Sequence, residues 1–510
     1  MILAIIFLVL FAIATGISIY FTVSLVKTPM IEVDYKKFLI KPAVCAGLAV
    51  ISFLVASFGF YQWLNASADA LHTAELVVGA IFLSGGLLIA INCFILHYYG
   101  RNIPEKLDKL FFRIQLSSFI VAFISLFIYT NGLAPYLSYP LANGISFSQG
   151  LVTPEKGTPN LAFYALCILS GAILVYFICD HYMYKISGKH GMFESTFFVA
   201  FPAGIIGARI WYVIGNWGKE FAGEPFWHVF AVWEGGLTIL GGAVMGIVVG
   251  VAWFIWRHKG KYIWDAIDLV LPCILIAQAI GRWGNFFNCE VHGYLVSDAN
   301  WKWLPEIVLN NARYSSTSGF APDGQIYVPL FFIEFISNLL GYFVLGHVFG
   351  KALRKYLEYG DVGAGYIIWY GMTRVLLEPL RDSSYQMGNN GYWSWVWSMI
   401  YVLVGTLLIV INHIVRRILK KKKGQLVTAP NHKKVGLISS VIIAVIGGAL
   451  LATSIYLLTA NKFETVVAYN GFNIGLMVLV LSVSVLLTLA ISLPILFSSP
   501  NNQDDKNAQI

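Results

Sequence analysis

The sequence predicts an all-α, polytopic membrane protein with about thirteen transmembrane helices, and three observations predict it. Of 510 residues, 58% are hydrophobic and only 12% charged, about half the charged share of an average soluble domain. Mean hydropathy is +0.72. The apolar residues gather in runs close to the roughly 20 residues that a helix needs to cross the hydrocarbon core. A soluble chain is excluded.

The runs begin near residues 2, 42, 75, 114, 160, 194, 235, 264, 329, 363, 393, 435 and 472. The first has no charged leading segment and no small-residue cleavage site, so it reads as a retained anchor rather than a signal peptide. Lys and Arg orient the series, because cytoplasmic loops hold the excess of positive charge. Alternate loops carry Lys27, Lys36, Lys37 and Lys41; then Arg101, Lys106, Lys109 and Arg113; Lys185 and Lys189; Arg257, Lys259 and Lys261; Lys351, Arg354 and Lys355; and the basic segment from Arg416 to Lys434. The loops between them carry only Lys156, Lys219, Lys302, Arg313, Arg381 and Lys462. The N-terminus is therefore expected outside and the C-terminus in the cytoplasm. Most of the formal net charge of +8 is assigned in this way to topology, and no nucleic-acid partner is read from it.

Cys45, Cys93, Cys167, Cys179, Cys273 and Cys289 lie in or at the ends of apolar runs and form no CxxC pair. Neither a disulfide framework nor a metal site is expected, and no cofactor. Composition divides the chain into an accessory four-helix region (1–150), a seven-helix core (151–424) and a two-helix C-terminal extension (425–510). Nearly all intramembrane charge lies in the core. Residues 287 to 328 form its one long outside loop, rich in Asn, Ser, Trp and Gly, and such a loop is either functional or mobile.

A charge at membrane depth costs a few kcal/mol on insertion scales, so ionisable groups there are candidates for function. Gln278, Arg282 and Asn285 follow one another at helical spacing and share a face. Gly281 and Gly284 remove bulk beside the arginine, and Glu290 and Gly293 follow. An arginine fork with amide neighbours suits an anionic head group. Arg374, Glu378 and Arg381 form a second stripe that ends toward the same side. Glu334 has no local partner, and Arg209 follows Gly204 and Gly207; these two could pair with each other or with the stripes. Glu234-Gly235-Gly236 and Gly241-Gly242 open the seventh run, and Gly242, Gly246 and Gly250 continue with the spacing of close helix packing. The earlier glycines, Gly236 and Gly241, could also let a lipid head group approach the backbone. Together these groups suggest recognition of a lipid phosphate. No serine–histidine pair, metal-ligand spacing or nucleotide loop accompanies them.

The run Gly281-Arg282-Trp283-Gly284-Asn285-Phe286-Phe287-Asn288, with Glu290 and Gly293, resembles the signature of the bacterial prolipoprotein diacylglyceryl transferases. Phe163-Tyr164-Ala165-Leu166, Gly207-Ala208-Arg209-Ile210-Trp211-Tyr212, Trp233-Glu234-Gly235-Gly236, Pro329 with Glu334, and Tyr370-Gly371 with Arg374, Glu378 and Arg381 match in the family's order. The resemblance covers about residues 155 to 420. It implies transfer of the diacylglyceryl group of phosphatidylglycerol to the lipobox cysteine thiol of prolipoproteins, at the bilayer of a bacterial cell membrane. That reaction forms a thioether and releases glycerol phosphate, as the first step of lipoprotein maturation. By similarity, Arg282 and Arg374 hold the phosphate, Asn285 and Tyr164 orient the glycerol or head group, and Glu290 braces Arg282 or accepts a proton. Gly293 lets the backbone turn after Glu290, and Arg209, Glu334, Glu378 and Arg381 stand behind them or at the entrance.

One position departs from the pattern. Where the family commonly has histidine before the glycine pair of the third core span, this chain has Leu240. A leucine accepts no proton, so Glu290, His292 or the phosphate's surroundings must assist the thiol, or activity is weakened. Rival readings are a phospholipid or anion transporter and a scaffold with a degenerate transferase site. Against the transporter, the charge lies toward one leaflet and no second copy of the signature occurs.

Overall fold

The computed structural model describes residues 2–27, 35–64, 70–99, 105–131, 163–223, 225–231, 236–354, 357–382 and 392–422, with short pieces between 445 and 485. Its described residues are overwhelmingly helical, and they divide into two compact units, Met1–Phe163 and Tyr164–Ile510. Among the described residues, ten helices are long and apolar enough to cross a membrane, so the count of thirteen is not reached there. The runs near 435 and 472 lie largely outside the described residues. The run near 363 forms a helix of 17 residues that begins on Asp361 and carries Arg374, too short to be one of the ten.

The first unit contains α1 (Ile2–Lys27), α2 (Tyr35–Leu64), α3 (Ala70–Tyr99) and α4 (Glu105–Asn131). α1 packs on α2 and α3, and α3 on α4. These helices are apolar on nearly every face, as helices surrounded by lipid must be. They still enclose a polar link: Thr22 donates to Asn92 Oδ1 at 2.6 Å, Asn92 Nδ2 to Ser18 at 3.2 Å, and Ser18 to the carbonyl of Pro42 at 2.9 Å. Hydrogen bonds between small polar side chains hold membrane helices in register where hydrophobicity gives no preference. The sequence alone makes this region look plainer than it is.

The second unit contains α5 (Phe163–Ser187), α6 (Glu194–Asn216), α7 (Ile239–His258), α8 (Ile263–Asn288), the short α9 (Glu306–Ala312), α10 (Leu330–Tyr342), α11 (Asp361–Leu377) and α12 (Tyr392–Lys422). α10 continues without a break as a wider π-helical coil through Ala352. α8 is central, packing against α10 and α11, while α12 packs on α11. α6 and α7 form a close pair because glycines meet glycines: a Cβ on Gly207 would lie 2.7 Å from the Gly241 carbonyl, and one on Gly242 would lie 3.1 Å from that of Gly204. Gly241 is thus filled from one side by Trp211 and the Gly207 backbone, which makes it a helix-packing residue.

The start of α11 is fixed by acids. Asp268 of α8 accepts from the backbone of Gly360 at 2.8 Å and of Gly363 at 2.9 Å, and pairs with Arg354 at 2.7 Å. It satisfies donors that the first turn of a helix leaves open. Asp361 in turn holds Asn412 at 2.9 Å and His413 at 2.5 Å on α12. With one end pinned in this way, α11 delivers Arg374 at the other.

Residues 289–328 fold as a small subdomain with two short antiparallel ladders and one short helix. β1 (Leu295–Ser297) pairs antiparallel with β4 (Gln325–Tyr327), and β2 (Tyr314–Ser315) with β3 (Gly319–Phe320). Val308, Ala312 and Ile326 are fully buried beneath them.

Candidate active site

The two polar stripes meet on one carboxylate. Glu334, one turn into α10, is 4% exposed. Its Oε1 accepts from Arg381 Nη2 at 2.9 Å and faces Arg374 Nη1 at 3.5 Å, while Oε2 pairs with Arg282 Nε. Arg374 Nη2 reaches Glu378 Oε2 at 2.7 Å, and Arg381 Nε lies 3.7 Å from the same oxygen. The network holds three guanidinium groups and two carboxylates, and with both carboxylates buried the charges interact more strongly than they would in water. Glu334, which has no partner nearby in sequence, is its centre, and Arg381 joins it directly.

Behind Arg282 runs a chain of amides. Arg282 Nη1 donates to Asn285 Oδ1 at 3.2 Å, Asn285 Nδ2 donates to Glu290 Oε1 at 3.0 Å, and Asn288 Nδ2 donates to that oxygen at 3.1 Å. Asn285 therefore links the arginine to Glu290 and fixes both. Gly284 is needed because Tyr164 fills the place of its side chain, and this brings Tyr164 of α5 within electrostatic reach of Arg282 and Glu290. A Cβ on Gly281 would meet nothing within 4 Å, so no neighbour demands that glycine. Gln278, on the same face, turns instead to Tyr366, donating to its hydroxyl at 3.1 Å.

Tyr366, Tyr370 and Tyr401 form an aromatic column beside Arg374, with ring centres 6.3 and 5.6 Å apart. Sequence reasoning did not single out Tyr366 or Tyr401. The recurrence of Tyr366, Tyr370 and Arg374 at four-residue steps was a readable signal for the first, but Tyr401 arrives from α12 and had none.

The small subdomain is stitched to this site by backbone. Gly293 donates to the Val328 carbonyl at 2.8 Å and pairs with Arg381 across an isolated antiparallel bridge; Asp382 donates to the His292 carbonyl at 3.2 Å. The turn after Glu290 is not made by Gly293. Cys289 and Val291 carry the left-handed backbone, at φ 47° and 59°, a conformation that costs a β-branched residue such as Val291 most. Gly293 is required for a different reason: a Cβ there would collide with the Leu380 carbonyl and lie 2.7 Å from Val328 Cβ. His292 is 1% exposed and turns into the subdomain, with Nε2 3.3 Å from Asn311 Oδ1 and its ring near Tyr327 and Phe331. Burial holds its imidazole down at about 4, so it is neutral, and it packs the subdomain rather than facing the arginines.

Arg209 forms a separate centre with Gly236. Its Nε donates to the Val229 carbonyl at 2.9 Å, Nη2 to that of His228 at 2.6 Å and Nη1 to that of Gly236 at 3.2 Å. Gly236 has φ 65°, and Tyr212 and Arg209 crowd the place of its side chain. The guanidinium also stands 5.3 Å from the Phe221 ring, and a cavity of about 430 Å³ opens alongside, lined by Trp217, Phe221, Ala222, Gly223, Pro225, Phe226 and Val229. Arg209 thus braces a loop and does not pair with Glu334. Glu234 and Gly235 lie outside the described residues, and Leu240 stands in the first turn of α7.

Comparison with known proteins agrees with this geometry. Residues 155–411 match the family model described as prolipoprotein diacylglyceryl transferase, which spans the described helices α5 to α11 and most of α12. The chain is 33% identical over 258 residues to the phosphatidylglycerol–prolipoprotein diacylglyceryl transferase of Streptococcus suis, covering 51% of this chain and 90% of that protein. Proteins of the same name from Streptococcus agalactiae (32% over 259 residues, 51% of this chain and 94% of theirs) and Lactococcus lactis subsp. cremoris (33% over 260 residues, 51% and 93%) are similar. The chain belongs to the prolipoprotein diacylglyceryl transferase family.

Proposed function

We propose that this protein transfers the diacylglyceryl group of phosphatidylglycerol to the lipobox cysteine of prolipoproteins, at the outer face of a bacterial cell membrane. Its N-terminus lies outside and its C-terminus in the cytoplasm. The observation that carries the reading is the convergence of Arg282, Arg374 and Arg381 on one buried point, next to the amide-held Glu290.

The chemistry needs these parts. The thiolate sulfur attacks the glycerol carbon that bears the phosphate; the carbon–sulfur bond forms as the carbon–oxygen bond breaks, and its electron pair leaves with the phosphate oxygen. Arg282 and Arg374 bind the phosphodiester and stabilise the charge that grows on that oxygen. Asn285 and Tyr164 orient the glycerol. A thiol ordinarily loses its proton near pH 8.5, and with Leu240 in place of a histidine the proton goes to Glu290, whose carboxylate Asn285 and Asn288 hold in position. Glu378 and Arg381 keep Arg374 and the small subdomain in register, and Gly293 joins that subdomain to Arg381. Arg209 with Gly236, and Gly241 on the α6–α7 contact, shape the neighbouring wall.

The test is incubation of the purified full chain with phosphatidylglycerol and a lipobox peptide. Mass spectrometry should find the peptide heavier by one diacylglyceryl group, with phosphorus recovered as glycerol phosphate; an unmodified peptide would overturn the proposal.

A further inference from the structure

Glu334 occupies the place where three arginines present their donors, and it is itself an oxyanion. A carboxylate and a phosphate offer a guanidinium the same planar pair of acceptor oxygens, so the two cannot hold the same donor edges together. We propose that Glu334 is a displaceable internal counter-ion: it holds Arg282, Arg374 and Arg381 between turnovers, yields them to the lipid phosphate, and reclaims them from the glycerol phosphate product. This rests on the transfer reaction proposed above and assigns a role in product release to a residue that touches no reacting atom.

The charge count supports the direction. Three guanidinium groups and the carboxylates of Glu334 and Glu378 leave the network one positive charge in excess. The phosphodiester of phosphatidylglycerol carries one negative charge and balances that excess. Cleavage of the carbon–oxygen bond turns it into a phosphomonoester, which approaches two negative charges above a second pKa of about 6. Once the proton taken from the thiol has passed to solvent, the product over-neutralises the network. Glu334, 4% exposed and tied to all three arginines from a helix that does not carry them, is placed to win them back. Without its charge the excess becomes two, which suits the product better than the substrate.

The position of Glu334 on α10 fits this role. Arg374, Glu378 and Arg381 rise from α11 and the segment after it, and Arg282 from α8, so the carboxylate enters the cluster alone and withdraws from it alone. Arg374 and Arg381 keep Glu378 as a second partner while Glu334 is displaced.

The experiment measures glycerol phosphate affinity by isothermal titration, and as a product inhibitor of thioether formation, in the full chain and in Glu334→Gln. Glutamine keeps the size and removes the charge. Glycerol phosphate should bind at least tenfold more tightly to Glu334→Gln, kcat should fall, and KM for phosphatidylglycerol should not rise. Equal or weaker product binding would overturn the proposal, since a merely structural glutamate predicts loss of affinity for both ligands. Glu334→Asp keeps the charge but shortens the reach to three arginines; it should tighten product binding to an intermediate degree, and it decides the matter alone if the glutamine variant does not fold. A wild type that makes no thioether yet shows these affinity changes would remove the transfer reaction and leave the ion exchange. A wild type that turns over with no change in either variant would remove only the role of Glu334.

Discussion

Arg381 and Glu334, 47 residues apart in the chain, meet at 2.9 Å, and the same arginine is paired through its backbone to Gly293. One residue therefore ties the charge cluster to the small subdomain. Replacing Arg381 with alanine leaves Glu334 and Glu378 in a buried site with one guanidinium fewer, and breaking a buried pair costs about 3–5 kcal/mol. Arg381→Ala should lower thermal stability and activity together. Arg381→Lys, which cannot fork across two carboxylates, should recover more stability than activity.

Glu290 should matter through its charge and Asn285 through its hydrogen bonds. A positioned general base contributes roughly 10²–10⁴-fold, and Glu290→Gln should lower kcat by that order with little change in KM. Asn285→Ala releases both Arg282 and Glu290 and should affect kcat and KM. Unchanged rates for Glu290→Gln would remove Glu290 from proton transfer.

His292 makes the small subdomain sensitive to acid. Its imidazole is held at about 4 in the fold against 6.5 for the free group, so the folded state favours the neutral form. The stability this contributes is complete above pH 6.5 and is lost as pH falls toward 4. The subdomain should loosen over that window, read as faster amide hydrogen exchange across residues 289–328, and His292→Gln should flatten the response.

Close packing of α6 on α7 should be intolerant of bulk. A side chain at Gly207 must displace Met245 and the Gly241 carbonyl, and overpacking of this kind costs about 1–3 kcal/mol. Gly207→Val should lower the melting temperature of the purified protein, whereas Gly281→Ala, which meets nothing within 4 Å, should leave it unchanged.

The helices were legible because their apolar runs repeat at membrane length, and the site because its charges are so few. The stripe from Arg374 to Arg381 holds only in part, because α11 ends at Leu377, Glu378–Leu380 form a 3-10 turn and Arg381 is extended, reaching the cluster from beyond the helix. The face shared by Arg282 and Asn285 follows from helical spacing alone. What joins them does not: Glu334 comes from a third helix, and no local pattern says which cation it will meet. For the same reason no local pattern identifies the partners of Arg209, which include the carbonyls of Val229, His228 and Gly236. At Gly293 a turn and a close backbone approach both select glycine, and only the geometry shows that the approach to Leu380 is what requires it. The order in residues 289–328 was hidden because short strands and a seven-residue helix leave no period long enough to read.

If the arginines gathered on Glu334 bind the lipid phosphate and stabilise the leaving oxygen, removing either Arg282 or Arg374 must slow the transfer. The most direct measurement is the rate of thioether formation from phosphatidylglycerol and a lipobox peptide by the wild type, Arg282→Ala and Arg374→Ala, each shown to be folded by its melting transition. Removal of one such donor is expected to lower kcat by about 10²–10³-fold. Equal rates in all three proteins would mean that neither arginine holds the phosphate.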